Sequence, residues 1–381
     1  MAKTHQQTPQ GRTLERMRCI SSWTLAAIAI VGLPATISAH PIADDANEEL
    51  YAPMAPFTSP HGGHDHHDIK EGRPDTHAPA GLMGDHVHHQ GEWMVEYKFQ
   101  KMFMDGNRYG TQQVSDVEAL DVTGIPFMAT PTRMDMNMHM LHIMYGATDN
   151  VTLYFMPMWM ELTMDHLRRN GTTFSTYNDG FSDLRFGALV LLYDTECSDL
   201  IFNFGMSAPT GNIHGTTTSA SPMGAETQMP YPMQLGSGTF NFRPGITYKK
   251  YWEMASMGLQ LQTNLPVGEN YRNYHVGNEY QLNWWFARRV GERASLSFRT
   301  EGLWRDNYGG AGDPQLNPNM ISTARTDMRG GFWFNLGFGG IYQFCDGSRL
   351  NVELVRPVYQ DLDGVQLETD FQLFASWSKA W

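Results

Sequence analysis

From Gly91 onward the chain alternates apolar and polar residues in segments of about ten, the period-two signature of β-strands rather than helices. In 294–304, Ala294, Leu296, Phe298 and Trp304 fall on one face, and Ser295, Ser297, Arg299 and Glu301 on the other. Phe332, Phe334, Leu336 and Phe338 likewise oppose Asn335, Gly337 and Gly339. Tyr280, Leu282, Trp284 and Phe286 oppose Gln281 and Asn283, and Phe240, Phe242, Ile246 and Tyr248 oppose Asn241, Arg243 and Lys249. A sheet with one apolar and one polar face suits either a soluble sandwich or a barrel in a membrane.

Three features favour the barrel. Short turns near 147–150, 194–199, 251–253, 288–293 and 345–348 alternate with longer polar connections near 105–131, 163–180, 211–238, 268–274, 305–328 and 360–367. That rhythm predicts about twelve strands, an even number, with tight periplasmic turns and longer outer loops. Aromatic residues such as Tyr145, Tyr248, Tyr280 and Trp304 sit toward strand ends, where a barrel meets lipid headgroups. In the last segment Phe371, Leu373, Ala375 and Trp377 alternate with Gln372, Ser376 and Ser378 before Trp381, a pattern that looks like the signal read by the barrel assembly machinery. The expected fold is all-β: a transmembrane antiparallel β-barrel of the outer membrane, surrounded by outer-membrane lipids and with its backbone pairing satisfied internally.

Composition supports this choice. Only 18% of residues are charged, below the roughly 25% of globular chains, while 12% are aromatic, as expected where about half of each strand faces lipid. No apolar run of about 18 residues follows the N-terminal region, so helical spans are not expected. A formal charge of −13 argues against a nucleic-acid partner, which requires clustered Lys and Arg.

Arg12, Arg16 and Arg18 precede an apolar stretch from Trp23 to Leu33, and Ala39 offers a cleavage point, so 1–39 reads as a secretory signal peptide. Residues 40–90, rich in Pro, Ala, Gly, Asp and His, are predicted to be a disordered His-rich extension, with the barrel over 91–381. Cys19 would leave with the signal. Cys197 and Cys345 fall in turns on opposite walls, beyond the roughly 7 Å Cα separation a disulfide tolerates, and both are predicted to be free thiols.

No nucleophile elbow, phosphate loop or zinc-protease signature is present, so enzymatic activity is not expected. Function should lie on the polar face. Glu96, Lys98, Arg185, Arg243, Lys249, Arg299, Glu301 and Glu353 are predicted to line the lumen, where they either tune passage or pair across it and brace the barrel. Nine of the fifteen histidines lie between His40 and Gln90. His61, His64, His66 and His67, and again His86, His88 and His89, are interleaved with Asp65, Asp68 and Asp85, a mixture that suits zinc or copper(II); the plainer alternative is a solvated tail. Thirteen of the 25 methionines lie between Met94 and Met164. Met134, Met136, Met138, Met140 and Met144 share one face of the second strand. Met156, Met158 and Met160 alternate with lipid-facing Phe155 and Trp159, which points them inward. Thioethers suit copper(I), so such a ladder beside His139 could hand copper along, but adaptable apolar packing accounts for it as well.

Three stretches, PAGLMGDH at 79–86, MPYPMQLGSG at 229–238 and RPVYQDLDGVQLETD at 356–370, resemble the bacterial outer-membrane family of transporters named for the meta-pathway of phenol degradation. The resemblance covers most of the chain from residue 79. It implies a monomeric barrel for passive uptake of small organic or aromatic compounds, and it defines no site residue. The expected function is therefore an outer-membrane channel or porin-like transporter for small solutes. The loop 211–238 would fold inward as a constriction, and deleting 216–234 would raise conductance. The alternative is a metal-handling protein that binds or exports copper through its His-rich tail and Met-rich strands.

Overall fold

The computed structural model describes residues 72–381 apart from Pro222; His61, His64, His66 and His67, with the whole signal segment, lie outside the described residues. The strands are β1 (Trp93–Gly110), β2 (Ala129–Thr148), β3 (Val151–Met156 with Met158–Arg168), β4 (Thr173–Phe181 with Leu184–Thr195) and β5 (Ser198–Ala208). They continue with β6 (Phe240–Tyr251), β7 (Ala255–Val267), β8 (Glu279–Arg289), β9 (Ala294–Arg305), β10 (Gly331–Gln343) and a final extended stretch, Arg349–Ala380. β3 is interrupted at Pro157, which has no N–H to give to the ladder, although its carbonyl still accepts Leu141 N at 3.1 Å.

The sheet closes because β1 pairs with β2 on one side and with the end of the final stretch on the other, Met94 opposite both Met144 and Ala380. Every pairing in the ring is antiparallel, which demands an even number of strands. The final stretch meets β10 over 349–362 and β1 over 362–380, so it must double back. It does so at Asp363-Gly364, where Gly364 takes φ +74° and the side chain of Gln360 bonds the backbone of Thr369 across the bend. Counted as β11 (349–362) and β12 (365–380), the eleven extended stretches make twelve spans.

The alternation sorts as lipid and lumen require. Phe204, Leu282, Phe338 and Leu354 are exposed on the outer face, whereas Asn203, Gln260, Asn283 and Glu353 are buried inside. Trp93 packs on Tyr145 at the short-turn end and Trp304 on Phe332 at the other, each with ring centroids 4.7 Å apart, marking two aromatic belts. On β1 to β4 the outer face turns polar, with Lys101 3.3 Å from Asp135 and Asn137 3.3 Å from Glu161, so these strands continue beyond the apolar band.

That continuation corrects two expected long connections. The stretch 163–180 is mostly strand with a tip at 169–172, and 360–367 is the tight bend of β11 and β12. Above the lipid both faces of a strand are wetted, so the alternation that marks a strand disappears from the sequence. Of the two thiols expected to be free, Cys345 is free, whereas Cys197 has a partner outside the described residues.

A larger correction concerns the N-terminal extension. Residues 72–90, expected to be disordered, run inside the barrel as a plug through its short-turn half. Irregular backbone there needs hydrogen-bond partners, and the wall provides them. Ser295 Oγ donates to Pro74 O at 3.1 Å, Ser256 Oγ to Asp75 O, Lys249 Nζ to Thr76 O at 3.1 Å and Asn351 Nδ2 to Ala78 O at 3.2 Å. Farther in, Lys98 Nζ donates to Leu82 O at 3.0 Å, Gln260 Nε2 to Met83 O at 2.9 Å and Thr247 Oγ1 to Gly84 O at 3.2 Å. The returning limb is fixed where His88 N donates to Thr152 Oγ1 at 2.7 Å. Trp285, seated over Gly258 where any side chain would collide with its ring, packs against Ala78 and Leu82. Low hydrophobicity suggested disorder because the segment's stability resides in the wall's side chains rather than its own.

Candidate functional site

Segments of the chain enter the lumen from both ends. At the short-turn end the plug is clamped by a buried ion network. Arg299 Nε donates to Glu353 Oε1 at 2.7 Å, and Nη1 donates to Glu301 Oε2 at 2.5 Å and to Asn283 Oδ1 at 2.9 Å. Glu353 Oε2 accepts Gly81 N at 2.7 Å; a Cβ on Gly81 would come within 2.6 Å of Arg299 Nη2 and 2.8 Å of Glu353 Oε2, so any larger residue there would displace the ion network. Glu96 lies 3.7 Å from Lys98 Nζ and 3.5 Å from His142 Nδ1.

At the long-loop end the segment between β5 and β6 folds inward, as the sequence led us to expect. Its Met229, Met233 and Leu235 are buried against Met134, Leu162 and Met164 of the inner wall, with Leu367 beside them. Asp183 anchors the base of this loop by accepting Gly211 N at 3.0 Å and Ser237 N at 2.8 Å. Tyr231 packs on Tyr274 and Tyr308, and its hydroxyl accepts Asp313 N at 3.0 Å, while Asp313 holds Arg272 at 2.9 Å. Three outer loops are thereby interlocked.

Two cavities bear on passage. The first, about 380 Å³, lies among the loops and is bordered by Phe174, Pro230, Leu316, Met320 and Ile321, with His166 and Arg168. His166 stacks on Phe174 at 4.5 Å and Arg168 lies 4.1 Å over the same ring. The second, about 280 Å³, lies inside the wall and is bordered by Met138, Met158, Met160, Asp183, Glu279, Arg185 and Arg243. Glu279 is bonded to Arg305 at 2.6 Å, whereas Arg185 and Arg243 have no hydrogen bond or ion pair among the described residues.

The eight charged positions read from the sequence all point inward, but they divide by role. Lys98, Lys249, Arg299, Glu301, Glu353 and Glu96 hold the plug or the network behind it, whereas Arg185 and Arg243 border the cavity of about 280 Å³. The methionines also face inward: Met140, Met156 and Met158 form one cluster with Met138 and the plug's Met83 beside it. The arrangement of a ladder beside His139 does not form. His139 lies on the outer face, 2.7 Å from Tyr97 Oη, because odd positions of β2 point away from the lumen.

Of the histidines, His86 and His88 are inside the plug, but His89 is 83% exposed and faces Asp149 at 3.7 Å. Sequence reasoning missed His77, which the fold brings to His86 with ring centroids 4.6 Å apart. Burial, with Arg349 and His86 adding to it, holds the His77 imidazole well below its usual value, and burial next to His86 lowers His88 to about 4. Burial works against ionisation of Asp85, yet His86 and Lys249 hold its carboxyl well below the usual range. The three stretches that carry the family resemblance become the plug tip, the inward loop and the closing hairpin.

The family described as "Putative MetA-pathway of phenol degradation" matches residues 144–358, more than half of the chain. Among solved structures, the COG4313 outer membrane channel from Pseudomonas putida F1 shares 16% identity over 77% of this chain and 97% of its own, with a TM-score of 0.52. The translocator domain of the autotransporter NalP from Neisseria meningitidis, at 8% identity over 77% and 89%, gives 0.42. The P. putida toluene transporter TodX, at 11% over 77% and 91%, gives 0.39. No curated protein matches the chain.

Proposed function

The chain belongs to the MetA-pathway phenol-degradation family, an outer-membrane β-barrel, and from that premise we propose that it is a channel for the passive passage of small solutes, aromatic ones in particular. The observation that carries this reading is the apolar cavity among the outer loops. A closed apolar space of about 150 Å³ suffices for benzene, so about 380 Å³ beside Phe174 has room for a substituted ring. Inside the wall, Arg185 and Arg243 stand beside methionine thioethers, a lining suited to a ring that carries an acidic group. The P. putida neighbour is named an outer membrane channel, which accords with the reading.

Proteoliposome swelling with phenol, benzoate and a neutral sugar of similar mass tests it. Phenol and benzoate should enter several-fold faster than the sugar. Arg185→Gln with Arg243→Gln should slow benzoate and leave phenol unchanged. Equal rates for all three solutes would sink the aromatic reading and leave a general pore. The copper reading draws no support from the Met-rich strands, because their sulfur-bearing side chains pack with Met83 and the inward loop as an apolar lining.

A further inference from the structure

We propose that the plug carries a transition-metal site built on His77, His86 and His88, suited to a borderline divalent ion such as zinc(II) or copper(II). This site is independent of the channel reading. His86 Nδ1 lies 2.9 Å from Asp85 Oδ1, and His88 Nδ1 lies 3.2 Å from Glu92 Oε2. At His86 the carboxylate can take the Nδ1 proton and leave Nε2 with its lone pair, and the Glu92 carboxylate stands near His88 Nδ1 in the same sense, the arrangement in which metal-bound imidazoles are oriented by a second layer of carboxylates. Both Nε2 atoms are buried without a hydrogen-bond partner among the described residues, and the His88 side chain is only 5% exposed. An unpartnered buried nitrogen is costly unless something occupies its lone pair, and here two such atoms lie two residues apart.

The spacing fits a shared ion. Two imidazoles bound to one four-coordinate ion at about 2.0–2.1 Å place their ring centres about 5 Å apart. The centroids of His77 and His86 are 4.6 Å apart and those of His86 and His88 5.0 Å, both pairs nearly perpendicular. The ligating atoms that already lie within 4.8 Å of one another are those of His77, Asp85 and His86, beside a cavity of about 40 Å³ that has room for an ion and a water; His88, next to His86, would have to turn toward them to complete the set. Asp85 is engaged by His86 and by Ala78 N at 2.8 Å, so its part is to orient. Lys249, 4.0 Å from Asp85, and Arg349 bring positive charge to the same space, which Asp85, Glu92 and Glu96 counter. Three nitrogen donors select a borderline ion over magnesium or calcium, which favour oxygen. His77 lies on the entering limb of the plug and His86 and His88 on the returning one, so a bound ion would tie the two limbs together.

The test uses the full chain in detergent with His61, His64, His66 and His67 replaced by Asn, so that the tail cannot compete. After chelator treatment, zinc is titrated against a chromophoric chelator. One equivalent should bind with micromolar or tighter affinity, and His86→Gln and His88→Gln should each weaken it at least tenfold, with folding checked by heat-modifiable gel mobility. Absence of saturable binding, or unchanged affinity in both variants, would overturn the site. Cobalt(II) added to the chain with its plug unaltered gives a reading that does not depend on the variants folding. The intense visible bands of a four-coordinate nitrogen-bound ion are expected, and the pale spectrum of a six-coordinate aqueous ion would refute the proposal.

Discussion

The two segments that fill the ends of the lumen rest on different balances of polar and apolar contact. At the short-turn end a strand-free segment poor in apolar residues is held carbonyl by carbonyl, by Ser295, Ser256, Lys249, Asn351, Lys98, Gln260 and Thr247. At the long-loop end Met229, Met233 and Leu235 sink into a wall of methionine and leucine, with polar ties added at the base and flank of the loop by Asp183 to Gly211 and Ser237 and by Asn178 to Met233 O. Hydrogen bonds fix the plug in one register, since a one-residue slip would leave buried carbonyls unpaired. Thioether packing fixes the loop by volume and tolerates rearrangement. The first closure should behave as a rigid fitting and the second as a deformable one.

The largest effect that separates them is on conductance. Because the closures lie in series, deleting 216–234 alone should raise single-channel conductance modestly, replacing 72–90 by a Gly/Ser linker should raise it more, and combining both should give on the order of a tenfold rise. A full rise from the loop deletion alone would show that the plug does not resist flow. Next in size is Arg299→Ala, which strands Glu353 and Glu301 in a buried site. We expect a loss of about 3–5 kcal/mol, read in urea unfolding of the barrel in lipid vesicles, together with freer protease access to the plug. A loss below about 1 kcal/mol would mean that water already screens the network.

Met233→Ala should cost about 2–3 kcal/mol of loop docking. Flickering of the open current should increase while barrel unfolding stays unchanged; if the two change together, the loop is part of the barrel's core rather than a separable closure. The smallest effect is that of Asn351→Ala, which removes one plug hydrogen bond for about 1 kcal/mol and should quicken amide exchange at Ala78 and its neighbours without altering conductance.

The barrel was legible because lipid on one side and lumen on the other impose a strong period-two contrast, as in 294–304. Where water meets both faces, as at Thr173–Phe181, the contrast vanishes and a strand reads as a loop. The plug was illegible for a related reason. Nothing in PAGLMGDH announces order, since its hydrogen-bond partners in the wall lie on four strands, from Lys98 to Glu353. One usable sign was present: the wall carried more polar side chains, such as Lys98, Lys249 and Gln260, than could pair with one another, which implies a polar occupant. The same distance in sequence hid His77 from His86, because only the bend of the plug brings them face to face.

The plug also bears on how the ring comes to be closed. The seam joins β1 to β12, the two strands farthest apart in the chain, and bringing such distant segments together is the slow, entropically expensive event in making a barrel. The plug is covalently continuous with β1 and bonds directly to β11 through Gly81 with Glu353 and Ala78 with Asn351, partners 272 and 273 residues apart. A chain held by those bonds keeps β12, which follows β11 directly, close to β1. The plug therefore bridges the seam from within, a tie between the two ends of the chain that does not depend on the β1–β12 ladder.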